Sequence, residues 1–269
     1  LFPLPDSAQC VVISHGFTES GEKIHEMAYY FLRQGYSVLL LDHRGHGLSL
    51  REVEDPDTVY IRRFDDYVRD LDSAVCAARP LLPKGCRLVL FGHSMGGAIA
   101  ARTLELHPAT YEKCVLSAPM LAMDTYGVPS WAAKAVSGLF LAAGLGKRRF
   151  FGHPVYSPGE QFSQSACLSR ARFDYYAKLR MAHPHLRTNA ASYRWIWEGL
   201  RNHDRLFKPQ ALARICTPTL LLRAQHDSFV LPKALDDFES AVPCARLVDI
   251  PNVKHEIYRS PNECLLPYL

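Results

Sequence analysis

Four stretches of the chain carry residue types that could perform nucleophilic chemistry. The first spans residues 88–100, where Ser94 sits inside Gly92-His93-Ser94-Met95-Gly96. Four apolar residues lead into it, and the small residues Ala98, Ala100 and Ala101 follow. That pattern describes a buried strand, one sharp turn and a helix, with the serine hydroxyl thrust out where the strand ends. Gly92 and Gly96 would leave room where strand and helix nearly touch, a place where a Cβ would clash. The five-residue pattern alone arises by chance in roughly one chain of this size in ten, so its flanks carry the weight.

A serine hydroxyl is a poor nucleophile at neutral pH. It needs a base within hydrogen-bond reach and a third group to orient that base. A turn of this kind sets the chain order as serine, then acid, then histidine. Of the histidines after Ser94, His107 closes the helix that follows it. His153, His183, His185 and His203 fall in a helical block, and His226 precedes the last strand. His255, in Pro251-Asn252-Val253-Lys254-His255-Glu256, follows the last strand and is the candidate base. For the acid, Asp227 follows the strand containing Leu220-Leu221-Leu222 and can reach a loop after the next strand. Asp124, after the preceding strand, competes for the role, whereas Asp249 falls within the last strand, too early to turn back onto His255. Oxyanion stabilisation requires preorganised backbone donors. The Met95 N–H would supply one. The Phe17 N–H would supply the other, with Gly16 permitting the turn in His15-Gly16-Phe17. Asp42-His43-Arg44-Gly45-His46-Gly47 invites a metal-site reading, but its glycines describe a tight loop under the sheet ends that its polar residues brace. Neither a metal nor an organic cofactor is expected.

These groups must be held by strands and helices. Apolar runs predict strands at residues 10–14, 36–41, 88–91, 113–118, 218–223 and 246–250. Continuous apolar runs suit parallel strands covered on both faces. Helices are expected at about 24–34 and 64–79, then after Ser94, Pro232 and Pro261. Tyr67, Leu71, Val75 and Ala78 form one stripe of the second. This alternation defines a mostly parallel, doubly wound α/β sheet. Between 119 and 207 no buried strand is expected. That block holds all three tryptophans and reads as a helical cap inserted into a core of residues 1–118 and 208–269. Residues 52–57 form an acidic surface loop.

The 269 residues suffice for a sizeable core, and 48% of them are hydrophobic. A net charge of +4, with the arginines scattered, gives no basis for nucleic-acid binding and leaves room for weak attraction to an anionic membrane. The eight cysteines contain no C-x-x-C pair and no zinc spacing, so reduced thiols and a cytoplasmic setting are expected. Residues 1–6 lack the basic start of a signal peptide. No apolar run reaches about 18 residues, so no transmembrane helix is expected. The final helix, after Pro261, is expected to be cut off at residues 265–269.

Taken together, His-Gly-Phe, Asp-His-Arg-Gly-His-Gly-Leu-Ser, Gly-His-Ser-Met-Gly-Gly, the Asp227-to-Val230 pattern and the final His255 resemble the α/β-hydrolase superfamily. Within it the chain resembles the monoglyceride lipase and bacterial lysophospholipase L2 branch. Residues 63–71 and 186–195 carry that likeness, although Asn189-Ala190-Ala191 stands where the branch has Gly-Gly-Pro. The resemblance implies a serine hydrolase acting on acyl esters through an acyl-enzyme, with a small lipid or ester as substrate. An aminopeptidase or small-ester hydrolase on the same triad is the alternative, and a non-catalytic binding protein is disfavoured by the intact triad. Residues 129–141, apolar but for Lys134, end in the basic Lys147-Arg148-Arg149. They fit either acyl-chain entry from an anionic surface, with peripheral membrane contact, or a cap helix packed on its neighbours.

Overall fold

The computed structural model describes residues 1–125 and 127–268. Six strands form one parallel sheet: β1 (Gln9–Ser14), β2 (Ser37–Leu41), β4 (Arg87–His93), β5 (Lys113–Ser117), β7 (Thr219–His226) and β8 (Ala245–Lys254). Their order is β2-β1-β4-β5-β7-β8. Side chains alternate across each strand, and here both faces are covered. Cys10 and Val12 of β1 join Leu88 and Leu90 of β4 in the larger core cluster. That cluster also takes in residues of α2 (Asp65–Ala78), α3 (Met95–Leu106) and α8 (Pro232–Ala241). Val11, Ile13 and Phe91 point the other way, onto Ile24 and Met27 of α1 (Gly21–Arg33) and Leu265 of α9 (Asn262–Tyr268). Parallel strands buried on both faces therefore account for the continuous apolar runs. From β1 the chain moves outward to β2, then returns to β4 on the other side. The sheet thus reverses direction between β1 and β4, where the strand ends open a crevice.

Between β5 and β7 the chain leaves the sheet. It forms α4 (Ser130–Ala142), α5 (Arg170–Ala182), α6 (Tyr193–Leu206) and the single turn α7 (Pro209–Leu212). One expectation fails here, because this block does contain a buried strand. β6 (Ala190–Ala191) pairs in parallel with β3 (Thr58–Val59), and all four residues are buried. Two residues are too short to show any periodicity, and alanine is not a strand-favouring type. The acidic loop 52–57 is also less exposed than expected. Asp55 accepts a hydrogen bond from Thr58 Oγ1 (2.8 Å) and pairs with Arg149 (2.5 Å).

The last two sheet strands run further than their apolar cores. β7 continues to His226 and β8 to Lys254, with a register shift between Ala224 and His226. β8 is an edge strand, where polar side chains meet water at no cost, so hydropathy does not mark its end. All eight cysteines are free thiols. No helix among the described residues is long and apolar enough to cross a membrane. Leu269, the end of the expected last helix, lies outside the described residues.

Candidate active site

Each candidate group sits just past the C-terminal end of a different sheet strand. Phe17 follows β1, Ser94 follows β4, Asp227 follows β7 and His255 follows β8. Ser94 occupies the turn with φ 51° and ψ −118°, a region that non-glycine residues enter only when their surroundings enforce it, at a cost of about 1–3 kcal/mol. The enforcement is visible. Ser94 N–H donates to Ser117 O (3.1 Å), while Ser94 O accepts from Gly97 N (2.9 Å) and Met120 N (2.8 Å). Both flanking glycines are required by contact: a Cβ on Gly92 would lie 2.6 Å from Gly96 O, and one on Gly96 would collide with the Ser14 carbonyl. Gly97, which the sequence did not single out, is equally constrained, since a Cβ there would lie 2.5 Å from Pro119 Cβ.

His255 Nδ1 lies 2.7 Å from Asp227 Oδ2. A carboxylate only accepts, so the ring donates from Nδ1 and turns the lone pair of Nε2 outward. Both side chains are almost fully buried. Asp227 Oδ1 accepts from Phe229 N (2.8 Å) and Val230 N (3.3 Å). Burial pushes the Asp227 carboxyl up, but the His255 contact and the two amides outweigh it and hold the group below its ordinary range. Asp124 N–H donates to Phe229 O (3.3 Å), in the loop that also carries Asp227.

A cavity of about 560 Å³ opens above these residues, and Ser94, His255, Phe17 and Phe229 line it. No hydrogen bond joins Ser94 Oγ to His255 among the described residues. A contact of this kind commonly tightens only when substrate is bound. Met95 is the first residue of α3, where a helix leaves its N–H without an internal acceptor. The Phe17 N–H likewise has no acceptor among the described residues. The Phe17 ring is held by Trp195 of α6, 4.3 Å between centroids, and Trp195 Nε1 donates to Tyr67 Oη at 3.1 Å.

The 42–47 loop does brace its surroundings. Asp42 accepts from Gly21 N (2.7 Å) and Leu48 N (2.9 Å). His43 Nε2 meets Ser14 Oγ at 2.8 Å, and His43 N donates to His15 Nε2 at 3.0 Å.

Two features of the cavity were not legible in the sequence. His153, set aside as part of the helical block, lines the cavity, with its Nδ1 accepting from Ala191 N (2.8 Å). Three carboxylates also line it, and each is matched by a cation. Glu160 pairs with Arg180, Glu19 with Lys23 (3.0 Å), and Glu256 with Lys23 (2.6 Å) and Arg259 (2.7 Å). Glu19–Lys23 and Glu256–Arg259 are pairs at helical spacing of a kind common on any surface, and the Lys23–Glu256 link joins distant parts of the chain, so none of them leaves a motif like that of the serine turn.

The sheet, the strained serine turn and the histidine–carboxylate pair beside it define an α/β-hydrolase. Comparison with known proteins gives the family: a model described as serine aminopeptidase, S33, matches residues 5–262, and the chain belongs to that family. It is 29% identical over 258 residues to the probable lysophospholipase L2 of Haemophilus influenzae, covering 94% of this chain and 79% of the relative. It is 32% identical over 243 residues to lysophospholipase L2 of Escherichia coli, covering 85% of this chain and 66% of that one. Among solved structures, a soluble variant of monoglyceride lipase from Saccharomyces cerevisiae superposes with a TM-score of 0.76 at 17% identity, over 98% of this chain and 84% of that one. The monoacylglycerol lipase of Paleococcus ferrophilus gives 0.72 at 23% identity, over 99% and 93%.

Proposed function

We propose that the protein hydrolyses carboxylic esters through an acyl-enzyme on Ser94. Its substrate would be a single-chain lipid ester, a lysophospholipid or a monoacylglycerol. The observation that carries this reading is the 2.7 Å bond from His255 Nδ1 to Asp227, beside a serine held at φ 51° on the same cavity. As substrate fills the cavity, Ser94 Oγ attacks the ester carbonyl and His255 Nε2 takes the hydroxyl proton. Asp227 stabilises the imidazolium so formed. The oxyanion is met by the Phe17 and Met95 N–H groups. His255 returns its proton to the leaving alcohol, and water then releases the fatty acid by the same steps.

The lipid class rests on the names borne by the relatives, and α4 supports it. Its inner side packs on α6, with Phe140 stacked on Tyr193 at 3.9 Å. Its outer side leaves Trp131 72% and Leu139 71% exposed, with Val136 beside them. The helix leads to exposed Lys147 and Arg148. An apolar face ending in cations suits peripheral contact with an anionic membrane. In this reading residues 119–207 form a cap over a core of 1–118 and 208–269. Peptide cleavage is the weaker reading, because a free amine would need an unmatched carboxylate and Glu19, Glu160 and Glu256 are each ion-paired.

The test is a panel of lysophospholipids, monoacylglycerols, short p-nitrophenyl esters and aminoacyl anilides, with a fluorophosphonate probe to mark the nucleophile. Ester turnover with labelling at Ser94 is expected. Labelling at another serine, or turnover of the anilides alone, would overturn the proposal.

A further inference from the structure

Glu19 lies beneath the catalytic groups, yet the mechanism above does not use it. Its carboxylate is 3% exposed and meets three segments of chain at once. Oε2 accepts from Gly16 N (2.6 Å), the residue immediately before Phe17. Oε1 accepts from Tyr258 Oη (2.7 Å), three residues after His255. The same oxygen lies 3.6 Å from Nε2 of His93, the residue immediately before Ser94. The His93 ring is oriented from its other side, donating Nδ1–H to Ser117 O at 3.1 Å. Lys23 Nζ sits 3.0 Å from Glu19 and 2.6 Å from Glu256, which directly follows His255. Glu256 in turn holds Arg259.

We infer that Glu19 is a positioning residue, one that holds the oxyanion loop and the histidine loop in register from below. This rests on the assignment of Ser94 as nucleophile and of Phe17 N–H as oxyanion donor. The Phe17 N–H is useful only where the developing oxyanion will be, since donors of this kind act at 2.7–3.1 Å. The peptide preceding it is anchored through Gly16 N–H by Glu19. The fit is close, because a Cβ on Gly16 would come within 2.8 Å of Glu19 Oε2. A buried carboxylate is costly unless its lone pairs are filled. Here Gly16, Tyr258 and Lys23 fill them. The resulting geometry is stiff because Gly16 and Tyr258 belong to segments that also carry catalytic groups, while Lys23 ties Glu19 to Glu256 beside His255. The Lys23 ammonium cancels the charge, so the cluster orients the site without setting a net field upon it.

Loss of this anchor should act on the transition state and not on substrate binding. In Glu19→Gln, one face of the side chain becomes an NH2 group. That group must oppose either the Gly16 N–H or the donors on the other side, so the loop shifts. A displacement on the order of 1 Å costs up to about 100-fold in rate. With p-nitrophenyl butyrate, kcat per probe-titrated active site should fall 10- to 100-fold while KM stays within about twofold. Affinity for an alkyl trifluoromethyl ketone, which forms a tetrahedral adduct on the serine, should fall in parallel with kcat/KM. Lys23 keeps Glu256, so Glu19→Gln is expected to fold. Tyr258→Phe, which removes one donor and buries no new polar group, supplies a second measure and should lower kcat three- to tenfold.

A purely structural role would lower the melting temperature and the fraction of titratable sites, leaving kcat per site intact. That result in both variants would overturn the inference. Wild-type protein that neither turns over the ester nor takes the probe at Ser94 would refute the hydrolase reading, and the positioning role with it. A wild-type enzyme that is active beside variants unchanged per site would refute the positioning role alone.

Discussion

Replacing Asp227 with Asn tests the site through a single proton. The carboxylate uses Oδ2 for His255 and Oδ1 for the Phe229 and Val230 amides. Asparagine is the same size but has one acceptor atom and one donor group. Two backbone N–H groups face the Oδ1 position, so the amide oxygen stays there and its NH2 turns toward His255. Nδ1 can then only accept, which moves the ring proton to Nε2, the atom that should receive the Ser94 proton. The base is present but in the wrong tautomer. In a triad this error costs about 10⁴ in kcat, or about 5 kcal/mol of transition-state stabilisation. Because the buried hydrogen bonds are kept in number, stability should change little. The assay is p-nitrophenyl butyrate hydrolysis alongside thermal unfolding, with Asp124→Asn as the comparison. A loss under tenfold in Asp227→Asn, or a larger loss in Asp124→Asn, would refute the tautomer argument.

Ser94→Gly should abolish turnover while raising thermal stability, by about 1 kcal/mol, since glycine adopts φ 51° without the steric cost that serine bears; unchanged or lower stability on calorimetry would show that the turn is unstrained. Acid should destabilise the fold, beginning near pH 6.5. Burial lowers the pKa of His15, His43 and His46, and it pulls His93 down to about 4 against the attraction of Glu19. Below about pH 6.5 the unfolded chain therefore binds protons that the folded chain refuses, and stability drops as pH falls. Glu256, held at about 2 against its own burial by Lys23 and Arg259, extends the loss below pH 4.5. A melting temperature flat from pH 7.5 to 5 would contradict this. Trp131→Ser combined with Leu139→Ser should weaken binding to phosphatidylglycerol vesicles at least tenfold and leave hydrolysis of a soluble ester unchanged; equal vesicle binding by variant and wild type would remove α4 as the contact.

The parts of the site legible in the sequence are those whose chemistry demands a local backbone shape. The serine turn needs its glycines within two residues on either side, so it announces itself. His255 and Asp227 were reachable because strand order limits which loops meet at one end of a sheet. The ion pair that links the two loops under the site had no such signal: Lys23 and Glu256 lie 233 positions apart, and nothing near either residue marks the other. Strand ends were blurred for a different reason, since β7 and β8 continue in polar residues once one side meets solvent. The composition of the cavity also stayed hidden, because residues 153–166 contribute to it largely without regular structure.

The small β3–β6 pair has a consequence for how the molecule can be assembled and re-engineered. It joins segments about 130 residues apart, a long-range contact of the kind that forms late in folding. Neighbouring bonds reinforce it, from Asn189 N to Asp57 O (2.9 Å), Ser192 N to Val59 O (2.9 Å) and Phe150 N to Ala191 O (2.8 Å). The helical stretch between β5 and β7 is therefore sutured to a loop encoded well upstream of it. Transplanting residues 119–207 alone into a relative would sever that suture. A working chimera has to carry residues 52–60 as well, so what looks like one exchangeable module in the gene is two pieces in the protein.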